Sequence, residues 1–160
     1  MKFFVQPTPA PKPKTEAVTR ISLLYAALLV VMIVAQLFTF EAFIELIISF
    51  KLPVSDGVVS AIAPVLVAYE LFALPFLLRM SVSPAFRWVS MVCGWLVSLV
   101  WLSITMSLVL SNSTVDTIGF LGTIGNLAPG WWAVLISLLF GVMAAWASWG
   151  MWPVHKPRNS

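Results

Sequence analysis

Between Arg20 and Glu41 the chain runs for 20 residues, Ile21 to Phe40, without a charge. At 1.5 Å per residue this is about 30 Å of α-helix, the thickness of the hydrocarbon core of a bilayer. Three further apolar runs follow, about Val58 to Leu78, which holds the single charged residue Glu70, and Trp88 to Leu110 and Trp131 to Trp152, which hold none. A backbone in lipid must satisfy its polar groups internally, which runs of this length do as helices, whereas a transmembrane barrel would show short alternating segments. The expected fold class is therefore all-α, a polytopic four-transmembrane-helix bundle over residues 21–152. Composition agrees, since 61% of the residues are hydrophobic and 9% charged, against about 25% charged in soluble domains. A cleavable signal peptide shares the basic-then-apolar order of the first run. That run is longer than a signal core, however, and the one cleavage triplet, Ile33-Val34-Ala35, has Ile where a small residue is needed, so the segment is expected to stay.

The charges between the runs set an orientation. Lys2, Lys12, Lys14 and Arg20 precede the first span, Arg79 and Arg87 bracket the loop after the second, and Lys156 and Arg158 follow the fourth, leaving only Lys51 for the other two loops. Positive charge is retained on the cytoplasmic side, so both termini are expected to be cytoplasmic. Trp88, Trp149 and Trp152 would mark the inner boundary, and Trp131 with Trp132 the outer one. The net charge of +3 follows from this topology and points to no nucleic acid, because the basic residues form no continuous surface.

Residues 1–20 carry Pro7, Pro9, Pro11 and Pro13 among the lysines and read as a flexible cytoplasmic tail, and residues 153–160 as a short basic one. After the first span, Glu41, Glu45 and Ser49 recur every four residues amid Phe43, Ile44, Leu46, Ile47 and Ile48. This is a short amphipathic helix that either extends the first span or, as expected, lies in the interface, ended by Lys51-Leu52-Pro53. Pro64 and Pro75 should kink the second span. Ser90, Gly94 and Ser98 on the third span, and Gly141, Ala144, Ala145 and Ser148 on the fourth, supply small residues at helical spacing, and these two faces are expected to meet. The glycine-punctuated loop Gly119, Gly122, Gly125 also contains Ile118, Phe120, Leu121 and Ile124. It lacks the Lys and hydroxyl of a phosphate-binding loop and reads as re-entrant or surface-hugging. Asn112-Ser113-Thr114 matches a glycosylation sequon.

Glu70 is the most informative single residue, 12 positions from one end of the second span and 8 from the other. An ionisable group at that depth costs roughly 2.5–3.5 kcal/mol on insertion scales and marks a functional site by default. Its functional reading is a proton carrier or a polar contact for a quinone-like or cationic ligand; its structural reading is a protonated acid hydrogen-bonded inside the bundle. At about 12 Å above the inner boundary, its expected neighbours are Trp95 and Ser98 on the third span and Trp146 on the fourth, with Tyr25 of the first reaching up. Gln36 lies too near the outer surface on this arithmetic. Glu41, Glu45 and Asp56 form an acidic group at the outer face, suited to a cation or a basic partner or simply to the topology. Cys93 is the single cysteine, which excludes an intramolecular disulfide, and the single histidine, His155, lies outside the spans. No catalytic or metal-ligating constellation is legible.

The stretch from Gln36 to Met80, with Phe40-Glu41-Ala42-Phe43, Leu52-Pro53, Tyr69-Glu70-Leu71 and Leu77-Leu78-Arg79, resembles the small four-helix membrane proteins of the DoxX and MauE group. The resemblance implies a bacterial inner-membrane protein serving as an accessory or assembly subunit of a membrane complex. It also implies a link to quinone-dependent redox chemistry, with quinone as the implied cofactor and a membrane protein or a second copy of the chain as partner. The other reading of the residues is a small proton-coupled transporter that uses Glu70.

Overall fold

The computed structural model describes residues 7–52, 55–111 and 115–152, with the side chain of Asp56 left out. The ends of both tails, Pro53 and the sequon therefore lie outside the described residues. Five helices follow one another: α1 Glu16–Phe38, α2 Phe40–Ser49, α3 Asp56–Leu77, α4 Pro84–Leu110 and α5 Trp131–Gly150, with no strand among the described residues. Four of them, all but α2, are long and apolar enough to cross a membrane. The chain is a multi-pass membrane protein built as a four-helix bundle.

The helices close into a ring in which α3 touches α1 and α4, and α5 touches α4 and α1, while α2 lies against α3. One end of the bundle holds Lys14, Arg20, Arg79 and Arg87, here the basic end; the opposite end holds α2 and the loop over 115–130, here the loop end. Helix α1 starts on the Thr15 hydroxyl, which accepts from the Val18 amide at 3.3 Å, the usual N-cap arrangement. It stops at Thr39, whose hydroxyl donates to the Ala35 carbonyl at 3.1 Å and accepts from the Thr123 amide at 3.2 Å. Beyond it α2 buries Phe43 and Ile47 and exposes Glu41 and Glu45, the amphipathic division its sequence dictates. Helix α3 runs through both Pro64 and Pro75. The Phe76 amide, next to Pro75, is satisfied from the neighbouring helix: it donates to Ser90 Oγ at 2.9 Å, and Ser90 Oγ in turn lies 3.3 Å from the Ala73 carbonyl.

The small-residue stripe of α4 does not face α5 alone. Ser90 serves α3, and a Cβ on Gly94 would meet Ala73 of α3 and Tyr25 of α1. Only Ser98 reaches α5, donating to the Ser137 carbonyl at 2.9 Å and pressing on Gly141. The reason is helical: four residues turn 400°, so a four-residue stripe drifts round the helix and serves different neighbours along its length.

The loop end is closed by the glycine loop folding inward. Ile118 and Phe120 are buried, the Ile118 amide bonds the Leu127 carbonyl at 2.9 Å, and Thr117 Oγ1 bonds the Gly125 carbonyl at 2.8 Å. Two positions require glycine. Gly119 (φ +85°) sits 3.1 Å, measured from where a Cβ would be, from Phe43 and Leu46 of α2; Gly122 (φ +56°) packs on Thr39, the Ala35 carbonyl and Gln36 at the α1–α2 break. Positive φ and close approach both exclude a side chain there.

The basic end is crossed by the proline segment. Thr8 pairs with Val82 through its amide at 3.2 Å, Arg87 Nη2 donates to the carbonyls of Thr8 (2.8 Å), Pro9 (3.3 Å) and Val82 (3.4 Å), and the Lys14 amide donates to the Gly150 carbonyl at 3.1 Å. Over residues 8–14 the stretch expected to be a flexible tail is thus a strap from the α3–α4 turn to the end of α5. Proline favours this, since an extended polyproline backbone leaves its carbonyls free to accept.

Candidate functional site

Glu70 is fully buried, and its Oε1 accepts two hydrogen bonds, from Trp101 Nε1 of α4 at 3.1 Å and from Gln36 Nε2 of α1 at 3.3 Å. Gln36 Nε2 also donates to the Phe120 carbonyl of the glycine loop at 3.2 Å. Both acceptors are oxygens, so the Gln36 amide has only one sensible orientation. Three helices and the inward loop therefore converge on one carboxyl. Two oxygens in this hub, Gln36 Oε1 and Glu70 Oε2, are buried without a hydrogen-bond partner among the described residues.

Aromatic rings enclose the hub. Phe120 packs edge-on to Trp101 with centroids 4.6 Å apart and against Phe140 of α5 at 5.9 Å, and Phe140 meets Tyr25 of α1 at 5.8 Å. The two edge-to-face pairs, Phe120 with Trp101 and with Phe140, add about 0.5–1.5 kcal/mol each beyond the area they bury. Phe120 thus stoppers the polar centre with its ring while its backbone carbonyl joins it.

The expected neighbours of Glu70 go elsewhere. Trp95 donates to Ser148 Oγ at 3.1 Å and is 37% exposed; Trp146 is 43% exposed and pairs with Trp149; Ser98 bonds the Ser137 carbonyl. Tyr25 is buried, but its hydroxyl donates to the Gly94 carbonyl at 2.8 Å. Gln36, set aside on depth, is a direct partner, and Trp101 was missed. The depth arithmetic failed because it gave all spans one inner boundary. In the structure α1 begins at Glu16 and α4 at Pro84, each before its charge-free run, so the ends of the apolar runs are not a common reference height. Trp101 did carry a signal: a tryptophan well inside a span, away from both interfaces, needs an acceptor for its indole N–H.

Glu41 and Glu45 lie exposed on α2 and take no part in the hub's hydrogen bonds, while Asp56 opens α3 with its side chain outside the described residues. Cys93 is buried with a free thiol. Chemically, the hub offers acceptor oxygens held by fixed donors, an arrangement that locks helices together and can also take one more donor at the two unpaired oxygens. Comparison with protein-family models, with curated proteins and with solved structures finds no match for this chain.

Proposed function

We propose that this chain is an accessory or assembly subunit of a membrane complex, in a bacterial inner membrane with both termini cytoplasmic, similar in role to the DoxX and MauE group and redox-linked. The observation that carries the reading is the enclosure of Glu70: a fully buried carboxyl bonded to α1 and α4 and stoppered by the loop through Gln36. A group so held fixes the register of a scaffold. Support also comes from the apolar outer faces, for instance a cleft of about 370 Å³ between α3 and α4, lined by Ile62, Leu99, Val100, Ser103 and Ser107 among others, which suits a helix of another subunit.

One observation favours a second reading, a proton-coupled carrier. Gln36 Oε1 and Glu70 Oε2 lie unpaired in the hub, where a transported proton or donor would bind. Mild-detergent purification of the tagged protein from its native membrane, wild type and Glu70→Gln, with mass spectrometry of what is retained, tests both. A stoichiometric protein partner kept by both forms is the expected result. A monodisperse protein without partner in both forms refutes the subunit reading, and loss of proton-linked transport in Glu70→Gln proteoliposomes would establish the carrier. The orientation has its own check: Asp116→Cys in a Cys93→Ser background should react with an impermeant thiol reagent from the outside only.

A further inference from the structure

At the basic end, the flank formed by α4 and α5 carries a cleft of about 470 Å³ whose lining includes Lys14, Trp95, Ala145, Ser148, Trp149 and Trp152. A second cleft of about 410 Å³, lined by Val142, Ala145, Trp146 and Trp149, shares two of these residues and continues up α5 toward the middle of the membrane. From Trp149 to Val142 is seven residues, about 10 Å along the helix axis. The walls are aromatic and aliphatic, the polar groups Trp95 Nε1 and Ser148 Oγ are bonded to each other, and among the described residues no carboxylate lines either cleft.

Lys14 stands at the mouth in a built position. Its amide is tied to the Gly150 carbonyl at 3.1 Å, the next residue caps α1, and Arg87 anchors the strap upstream at Thr8 and Pro9. Its ammonium lies 4.4 Å from the centre of the Trp149 ring. The one ion pair among the described residues is Arg20 with Glu16 at 3.6 Å, so no described carboxylate compensates Lys14. An ammonium fixed above an aromatic wall at the rim of an apolar groove is complementary to one occupant: a negatively charged headgroup with an acyl chain below it.

We propose that this flank is a seat for an anionic glycerophospholipid, its phosphate paired with Lys14 and an acyl chain lying along Trp149, Ala145 and Val142. The proline strap is then the element that places the headgroup ligand, and lipid and strap stabilise each other. This proposal is independent of the complex to which the protein belongs.

The test is native mass spectrometry of the full chain in neutral detergent, titrated with phosphatidylglycerol or phosphatidylcholine of the same acyl chains. The wild type should prefer phosphatidylglycerol about fivefold, the effect of one basic residue at an anionic surface, and Lys14→Gln should lose that preference. Lys14→Arg should restore it, and Arg20→Gln, which removes an equal charge from the same end, should leave it intact. Ala145→Trp, which fills the groove, should weaken both lipids, and millimolar inorganic phosphate should displace neither. Equal binding of the two lipids, an unchanged Lys14→Gln, or equal losses in Lys14→Gln and Arg20→Gln would overturn the proposal. So would displacement by inorganic phosphate, which would make the site a phosphate site and not a lipid seat.

Discussion

Replacing Glu70 by leucine and by glutamine separates what its shape does from what its charge does. Leucine removes the acceptor of the Trp101 indole, the only partner of that N–H among the described residues, and one of the two acceptors of Gln36 Nε2. A buried donor left unpaired costs about 1–3 kcal/mol, while polar contacts between membrane helices average nearer 0.6 kcal/mol. Removing the unpaired Oε2 offsets part of the loss, so a net destabilisation of about 1–2 kcal/mol is expected for Glu70→Leu. Glutamine keeps an acceptor oxygen toward Trp101 and Gln36 and carries no charge, while its N–H₂ takes the place of the unpaired Oε2; the two changes oppose each other, so Glu70→Gln should lose less stability than Glu70→Leu. Thermal unfolding in detergent reads the difference. At roughly 2–4 °C per kcal/mol for a chain of this size, Glu70→Leu should lower Tm by about 2–8 °C. A cycle with Trp101→Phe should give a coupling energy of about 0.5–2 kcal/mol. If Glu70→Gln falls as far as Glu70→Leu, the carboxylate charge itself holds the hub and the acceptor argument is wrong; zero coupling to Trp101 would refute it equally.

Gly122→Ala places a Cβ at positive φ against Thr39 and the Ala35 carbonyl. It should cost about 1–3 kcal/mol and raise hydrogen exchange at the Ile118 and Thr123 amides, and unchanged exchange there would mean the loop is not pinned by that glycine. Phe120→Ala removes the stopper beside Trp101 and Phe140 while leaving the backbone carbonyl to Gln36. Glu70 should therefore be inert to a lipid-soluble carbodiimide in the wild type and react in Phe120→Ala, and rapid labelling of the wild type would contradict the enclosure. Ser90→Ala removes the hydroxyl that accepts from the Phe76 amide and should lower stability by about 0.5–1.5 kcal/mol, as measured by the same unfolding assay, with Ser90→Gly no better.

The parts of this architecture that depend on summed hydrophobicity were legible in the sequence. The four apolar runs became α1, α3, α4 and α5, the Glu41, Glu45, Ser49 repeat became α2, and the mix of Gly119 and Gly122 with Ile118 and Phe120 became a loop folded inward. Each of these signals is spread over many residues, so small errors at the ends do not matter. The hub depended on absolute heights of single residues, and there an error of one to two helical turns exchanged Trp101 and Gln36 for Trp95 and Trp146. Hydropathy also marks where apolar residues begin, not where a helix begins: Glu16 to Arg20 belong to α1 although two of the five are charged. The strap was hidden for a different reason. Its bonds are backbone carbonyls meeting Arg87 and Val82, and a backbone contact leaves little trace in side-chain composition.

The position of the hub residues along the chain also gives the hub an order of construction. Its contributors arrive at 36, 70, 101 and 120, and a ribosome adding about 5–20 residues per second makes Trp101 only seconds after Glu70. During that interval Gln36 is the one hub partner already synthesised, so an early α1–α3 hairpin carries the glutamate into the membrane on a single amide. The tryptophan and the loop are later reinforcements. Gln36 is then a guide for insertion as much as a part of the finished bundle, and its loss would be felt first in the yield of inserted protein.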